Sequence, residues 1–170
     1  MTATYLAEVW QEKWQSSGFS APSLIQERVY PLLKSGQSVV GVSPTGSGKT
    51  LAYLLPLLET VKVGEGNQLL ILTSSQELAM QVTQVARDWA QLLDLQVLPL
   101  IGGANTKRQI EKLKAKPEVL VGTPGRVLEL IKLKKVKTQQ IHGVVLDEVD
   151  QLLKEGAFGL ASKFLIFRTK

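Results

Sequence analysis

The sequence predicts an α/β fold in which helices cover both faces of a mostly parallel central sheet. Two observations carry this prediction. Five short runs, "SVVGV" (38–42), "LLILT" (69–73), "VLPLI" (97–101), "EVLVG" (118–122) and "GVVLD" (143–147), are aliphatic with little polar alternation. Strands covered on both faces read in this way. Segments of helical character separate the runs, and a strand–helix alternation specifies parallel strands joined by right-handed crossovers.

Ahead of the first run, 5–16 and 24–34 read as two helices, with "SGFSAP" (17–22) as the turn between them. A helix over 49–59 follows the first strand, and Pro56 should bend or end it unless packing absorbs the ring. Helices over 76–92, 106–114 and 126–131 follow the next three strands. Beyond the fifth strand there is room for a short helix over 152–160 and a strand "KFLIF" (163–167), the alternative being a fragment in which "FLIF" is an edge or swapped strand. Neither repeats nor a linker divides the chain.

With 170 residues, 44% hydrophobic and 21% charged, the chain fits one globular domain with a sizeable core. The absence of cysteine excludes disulfides and thiolate metal sites. No stretch approaches the roughly 20 apolar residues of a membrane span, and the first 19 residues lack the pattern of a leader. A cytoplasmic location without membrane association is therefore the expectation. His142 is the sole histidine, and with no second histidine or cysteine it is not read as a metal ligand. The net charge of +5 is unevenly spread: 107–137 hold 10 basic and 3 acidic groups, while 1–106 hold 6 and 8. Such a block is either a solvated face or the electrostatic footprint of a polyanion.

"SPTGSGKT" (43–50) lies between a predicted strand and a predicted helix, the context of a phosphate-binding loop. Strict Walker A spacing asks for glycine where Ser43 stands, whereas Gly48, Lys49 and Thr50 fit. Gly46 and Gly48 allow the backbone to curl so that N–H groups point inward, and the next helix adds its positive end. Lys49 would meet the β- and γ-phosphates and Thr50 would offer a hydroxyl to Mg²⁺. Ser43, Thr45, Gly46, Ser47, Gly48, Lys49 and Thr50 are thus the candidate nucleotide-binding residues. The alternative is a Gly/Ser-rich turn.

In such a fold another strand should bring an acid to the metal, and "GVVLD" ends in Asp147. Its carboxylate can bind hydrated Mg²⁺ directly or through water. Glu148 is then placed to orient and deprotonate an attacking water. Asp150 fits either the catalytic set or a helix N-cap.

These motifs, taken in order, resemble the first RecA-like domain of a DEAD-box RNA helicase of bacterial type. The likeness spans nearly all of 17–153. Gly18, Phe19, Pro22, Ile25 and Gln26 resemble the Q motif, whose glutamine reads the adenine edge. "SPTGSGKT" resembles motif I, "SSQELA" (74–79) the PTRELA motif, Gly102 and Gly103 the glycine pair, "TPGR" (123–126) motif Ib and "DEVD" (147–150) motif II. The resemblance implies a three-layer P-loop NTPase domain, ATP and Mg²⁺ as cofactors, and local, non-processive RNA unwinding. It also implies a second RecA-like domain, with the nucleotide between the two, and ribosomes or ribonucleoproteins among the partners. Under it, 1–37 are N-terminal helices of the same domain and 38–170 are the P-loop ATPase domain, incomplete at its C-terminus. RNA would be held by its backbone, without regard to sequence, at Ser75, Gln76, Gly102, Gly103, Thr123, Pro124, Gly125 and Arg126. Asp150 would couple to a downstream SAT motif.

The chain departs from the family pattern in three ways. Gln76 replaces the arginine of PTRELA. The family's upstream aromatic would align near Met1, leaving Tyr5, Trp10 or Trp14 either to stack on the base or to serve the core. No SAT motif follows Asp150. The SAT strand would lie between the P-loop strand and the motif II strand, so its slot would be open or filled by "KFLIF". The 170-residue chain alone is expected to bind nucleotide weakly and to show little RNA-stimulated ATPase. A P-loop ATPase that ignores RNA, a nucleotide-independent RNA-binding or ribosome-assembly module, and a protein-interaction fragment are the competing readings.

Overall fold

The computed structural model describes residues 5–103 and 105–154. Four strands form a wholly parallel sheet: β1 (Leu69–Leu72), β2 (Val97–Leu100), β3 (Val119–Gly122) and β4 (Gly143–Leu146), in the order β2-β3-β1-β4. The register aligns Leu69 with Val119 and Gly143, so the carboxyl ends of the strands lie level. Helices α4 (Gln76–Ala90), α5 (Thr106–Leu113) and α6 (Pro124–Lys132) make the three crossovers. Ahead of the sheet come α1 (Glu8–Ser16), α2 (Leu24–Lys34) and α3 (Lys49–Leu58), and α7 (Val149–Lys154) follows it.

Alternation along the strands builds two cores. Leu69, Ile71, Val97, Val119 and Val121 join α1, α2, α3 and α4 on one face. Leu70, Leu72, Leu98, Leu100 and Leu120 join α5 and α6 on the other. Fully burying one such aliphatic side chain contributes about 1.5–3 kcal/mol. The sheet is therefore the middle of three layers, as expected. Gly122 is required where β3 meets β2, since a Cβ there would lie 2.3 Å from the Leu100 carbonyl oxygen.

The N-terminal helices belong to the first core. Trp10 and Trp14 are buried, with ring centroids 6.0 and 6.4 Å from that of Trp89. They serve the core and are not available for base stacking. Glu59, just past α3, accepts hydrogen bonds from Trp10 Nε1 at 2.7 Å and from the Tyr30 hydroxyl, and pairs with Lys34 at 3.1 Å. One carboxylate thus ties α1 and α2 to α3. Pro56 lies inside α3 and is buried, and the helix closes two residues later at Leu58.

Two strand expectations need correction. Residues 38–42 run without ladder pairing, and Val40 and Val42 are 95% and 92% exposed. A strand exists by virtue of its neighbour, and among the described residues none pairs with this segment. Val39 is half-buried, and a Cβ on Gly41 would stand 3.4 Å from Ile25 Cδ1 of α2. β4, expected to be covered on both faces, pairs among the described residues with β1 alone, and Val144, Val145 and Leu146 are only partly buried. The later part of the helix expected over 152–160, and all of the strand expected over 163–167, lie outside the described residues. Among the described residues no helix is long and apolar enough to cross a membrane.

Candidate nucleotide and nucleic-acid site

Each candidate residue lies at a strand's carboxyl end or a helix's start, where parallel α/β sheets bind ligands. In the phosphate loop, Gly46 and Gly48 take φ of +79° and +82°, a region that glycine enters without strain. Gly48 is the N-cap of α3 and offers no side-chain cap, so the first-turn N–H groups of α3 have no capping side chain. Ser43, the departure from strict Walker A spacing, forms a 2.5 Å hydroxyl–hydroxyl contact with Ser47 and closes the loop across its base. An open cleft of about 450 Å³ is lined by Phe19, Gly46, Gly48, Lys49, Thr50 and Trp89, among others. Phe19 is 42% exposed and its ring leans on Trp14 at 4.8 Å.

Gln26 is buried and directed at this loop. Its amide oxygen accepts from Ser23 N at 2.8 Å, completing a capping box, while its Nε2 donates to the Gly48 carbonyl at 3.2 Å. A Cβ on Gly48 would meet Nε2 at 2.4 Å, so glycine is needed there for closeness as well as for φ.

Asp147 follows β4 and its N–H donates to Leu72 O at 2.9 Å, which keeps it in line with the sheet. Its Oδ2 accepts a 2.9 Å hydrogen bond from the Tyr53 hydroxyl. Burial, followed by the nearby Asp147 charge, pushes the Tyr53 hydroxyl pKa well up, so it stays protonated. Tyr53 thus holds one sequence-predicted Mg²⁺ ligand, Asp147, from the helix that also carries the other, Thr50. Among the described residues no group of three or more His, Cys, Asp or Glu could hold a metal. The oxygen donors present suit Mg²⁺, which takes one or two protein oxygens and completes its shell with phosphates and water.

Glu148 adopts a left-handed φ of +52° and is exposed. Its Oε2 accepts from Ser74 Oγ at 3.4 Å, a contact between the end of β4 and the loop after β1. Asp150 is exposed in the first turn of α7.

The second cluster is built from the starts of α4, α5 and α6. Ser75 caps α4 by accepting from Leu78 N at 3.1 Å. Gln76 lies against the glycine pair, with its Nε2 3.1 Å from where a Gly102 Cβ would stand. Thr123 is the N-cap of α6, Pro124 its first residue, and Gly125 is exposed. Arg126 is held by its neighbours: Nη1 donates to Thr106 Oγ1 at 2.5 Å and Nε lies 3.4 Å from Glu129, with the side chain 11% exposed. It braces α6 on α5. Exposed cations include Lys107, Arg108 and Lys112 on α5, Lys132 at the end of α6, and Lys134, Lys135 and Lys137 after it.

Tyr53, Ser74 and Thr106 escaped the sequence reading. Tyr53 could have been noticed three and four residues after Thr50 and Lys49 on one helix, a spacing that shares a face. Its partner is 94 residues away, and only the fold brings that residue near.

A phosphate-loop α/β domain with an acid at the end of a neighbouring parallel strand is what this fold and site define. The DEAD/DEAH box helicase family model matches residues 23–169, and the chain belongs to that family. It is 51% identical over 144 residues to the probable ATP-dependent RNA helicase YfmL of Bacillus subtilis, covering 84% of this chain and 38% of that protein. To the DEAD-box ATP-dependent RNA helicase CshC of Bacillus cereus it is 43% identical over 150 residues, covering 88% and 39%. The chain thus spans well under half the length of these curated relatives. A solved DEAD box protein from Methanococcus jannaschii superposes with a TM-score of 0.87 at 32% identity, covering 94% of this chain and 44% of that one. A hypothetical ATP-dependent RNA helicase from Sulfolobus tokodaii gives 0.86 at 30%, covering 96% and 47%. The fold is accordingly RecA-like. Helicases of this family use ATP, generally with Mg²⁺.

Proposed function

We propose that this chain is the ATP-binding, RNA-contacting first half of an ATP-dependent RNA helicase that locally separates or remodels RNA in the cytoplasm. One observation carries the reading: the Ser74–Glu148 contact joins the acid pair after β4 to the loop that opens the second cluster. Nucleotide chemistry and RNA backbone would thus be sensed at adjoining strand ends.

In this reading the N–H groups around Gly46 and Gly48, with Lys49, hold the β- and γ-phosphates, and Phe19 and Gln26 face the adenine. Thr50 and Asp147 would hold Mg²⁺, which when bound neutralises charge on the phosphate oxygens. Glu148 orients the attacking water and takes its proton. Ser75, Gln76, Gly102, Gly103 and the 123–126 turn line the RNA backbone through hydroxyls, amides and helix starts. Asp150 couples this site to a second RecA-like domain, which would supply arginines to the γ-phosphate. Residues 1–37 act with the P-loop domain as one unit, a reading supported by the Glu59 contacts. Ribosomes or ribonucleoproteins are the proposed setting. The isolated chain is expected to bind nucleotide weakly and to hydrolyse little ATP.

Titrating mant-ADP into the chain and its Lys49→Ala variant tests the reading. Charge-assisted contacts of about 1.5–3 kcal/mol predict a loss of about tenfold to a hundredfold. Equal affinities would refute the phosphate site. Single-stranded RNA affinity that ignores both an ATP analogue and Lys49→Ala would instead support a nucleotide-independent RNA-binding module.

A further inference from the structure

We propose that Tyr53 is a positioning residue for the Mg²⁺ site, its hydroxyl orienting Asp147 through the 2.9 Å hydrogen bond to Oδ2. This rests on the nucleotide-site reading above. Thr50, the other sequence-predicted ligand, lies three residues before Tyr53 on α3, about one helical turn away. Donation by Tyr53 to Oδ2 leaves Oδ1 of Asp147 for the metal or its water. One partly buried phenol on the phosphate-loop helix therefore sets the facing lone pairs of a ligand carboxylate carried by an element far away in sequence.

Two features make this more than incidental packing. Tyr53 lies in α3, whose first residues are Lys49 and Thr50, so helix geometry fixes its height above the phosphate loop. Asp147 enters from β4, which pairs with the described sheet on one side only, so its carboxylate gains an anchor independent of the sheet. Outer-shell partners of this kind typically change metal affinity about 10–100-fold when removed.

Tyr53→Phe deletes the oxygen and keeps the ring. The measurement is mant-ADP affinity of the chain at graded Mg²⁺ and again in EDTA, together with the unfolding temperature. The expected result is a Mg²⁺ midpoint raised about tenfold or more, with EDTA affinity and unfolding temperature close to those of the parent. Tyr53→Leu, which also removes the ring, should lower the unfolding temperature as well and thereby reports the packing contribution separately. An unchanged Mg²⁺ midpoint in Tyr53→Phe would overturn the proposal. So would equal losses with Mg²⁺ and with EDTA, because those would mark a structural role. No binding of mant-ADP by the parent chain under any condition would overturn the nucleotide-site reading itself, and this proposal with it.

Discussion

Replacing Gln26 by glutamate exchanges one NH₂ for an oxygen where α2 meets the phosphate loop. In the parent, Gln26 Oε1 accepts from Ser23 N at 2.8 Å and Nε2 donates to Gly48 O at 3.2 Å, with the residue 7% exposed. Gln26→Glu keeps the first bond and strengthens it by charge, and a carboxylate in the first turn of a helix gains about 0.3–1 kcal/mol from the dipole. It also sets an oxygen against the Gly48 carbonyl. Losing that buried bond costs about 1–3 kcal/mol, so the loss wins by about 1–2 kcal/mol. For a domain of this size the unfolding temperature at pH 7 should fall by about 2–8 °C. The pH dependence identifies the cause. A buried carboxyl has a folded pKa above its unfolded value of about 4.3, and only its protonated form can donate to Gly48 O. The variant should therefore approach the parent below about pH 4.3 and fall behind as pH rises through the folded pKa. Thermal unfolding of both proteins from pH 4 to 8 measures this. A constant gap, or none, would refute the assigned bond.

Two further predictions concern the frame around the site. Gly122→Ala would push a methyl to 2.3 Å from Leu100 O and 2.7 Å from Val127 Cγ2; overpacking of this kind costs about 1–3 kcal/mol or more, read as a lower urea midpoint at unchanged m. Burial raises three tyrosine hydroxyls above 10.0, with Glu27 adding to the effect at Tyr5, which reaches about 12, and with Glu59 and Asp147 adding at Tyr30 and Tyr53. Raised folded values mean that this stability is complete below pH 10 and is lost as pH rises through them. Tyr30→Phe should make the alkaline fall in unfolding temperature shallower, and superimposable alkaline limbs would count against the Tyr30–Glu59 bond.

Much of the site was legible in the chain because its chemistry is local. Gly46, Gly48, Lys49 and Thr50 must be neighbours in sequence to curl one loop onto phosphates, so their spacing alone declares them. Asp147 and Glu148 were legible as an acid pair ending an aliphatic run. The attachment of Arg126 to Thr106 and Glu129 was not legible, since it depends on how α6 meets α5. The stretch 38–42 shows the limit most plainly. Its β-branched residues favour extension, yet pairing is a property of two segments, and the neighbour it would need is not among the described residues.

By itself the sequence determined the alternation of strand and helix, the phosphate loop and the acid pair, because each follows from periodicity or from adjacent residues. Tertiary structure alone decided that Tyr53 meets Asp147 across 94 residues, that Ser74 meets Glu148, and that Gln26 spends its amide on Gly48. These contacts depend on sheet order and helix height, which arise when distant apolar faces pack together, and no spacing along the chain encodes them.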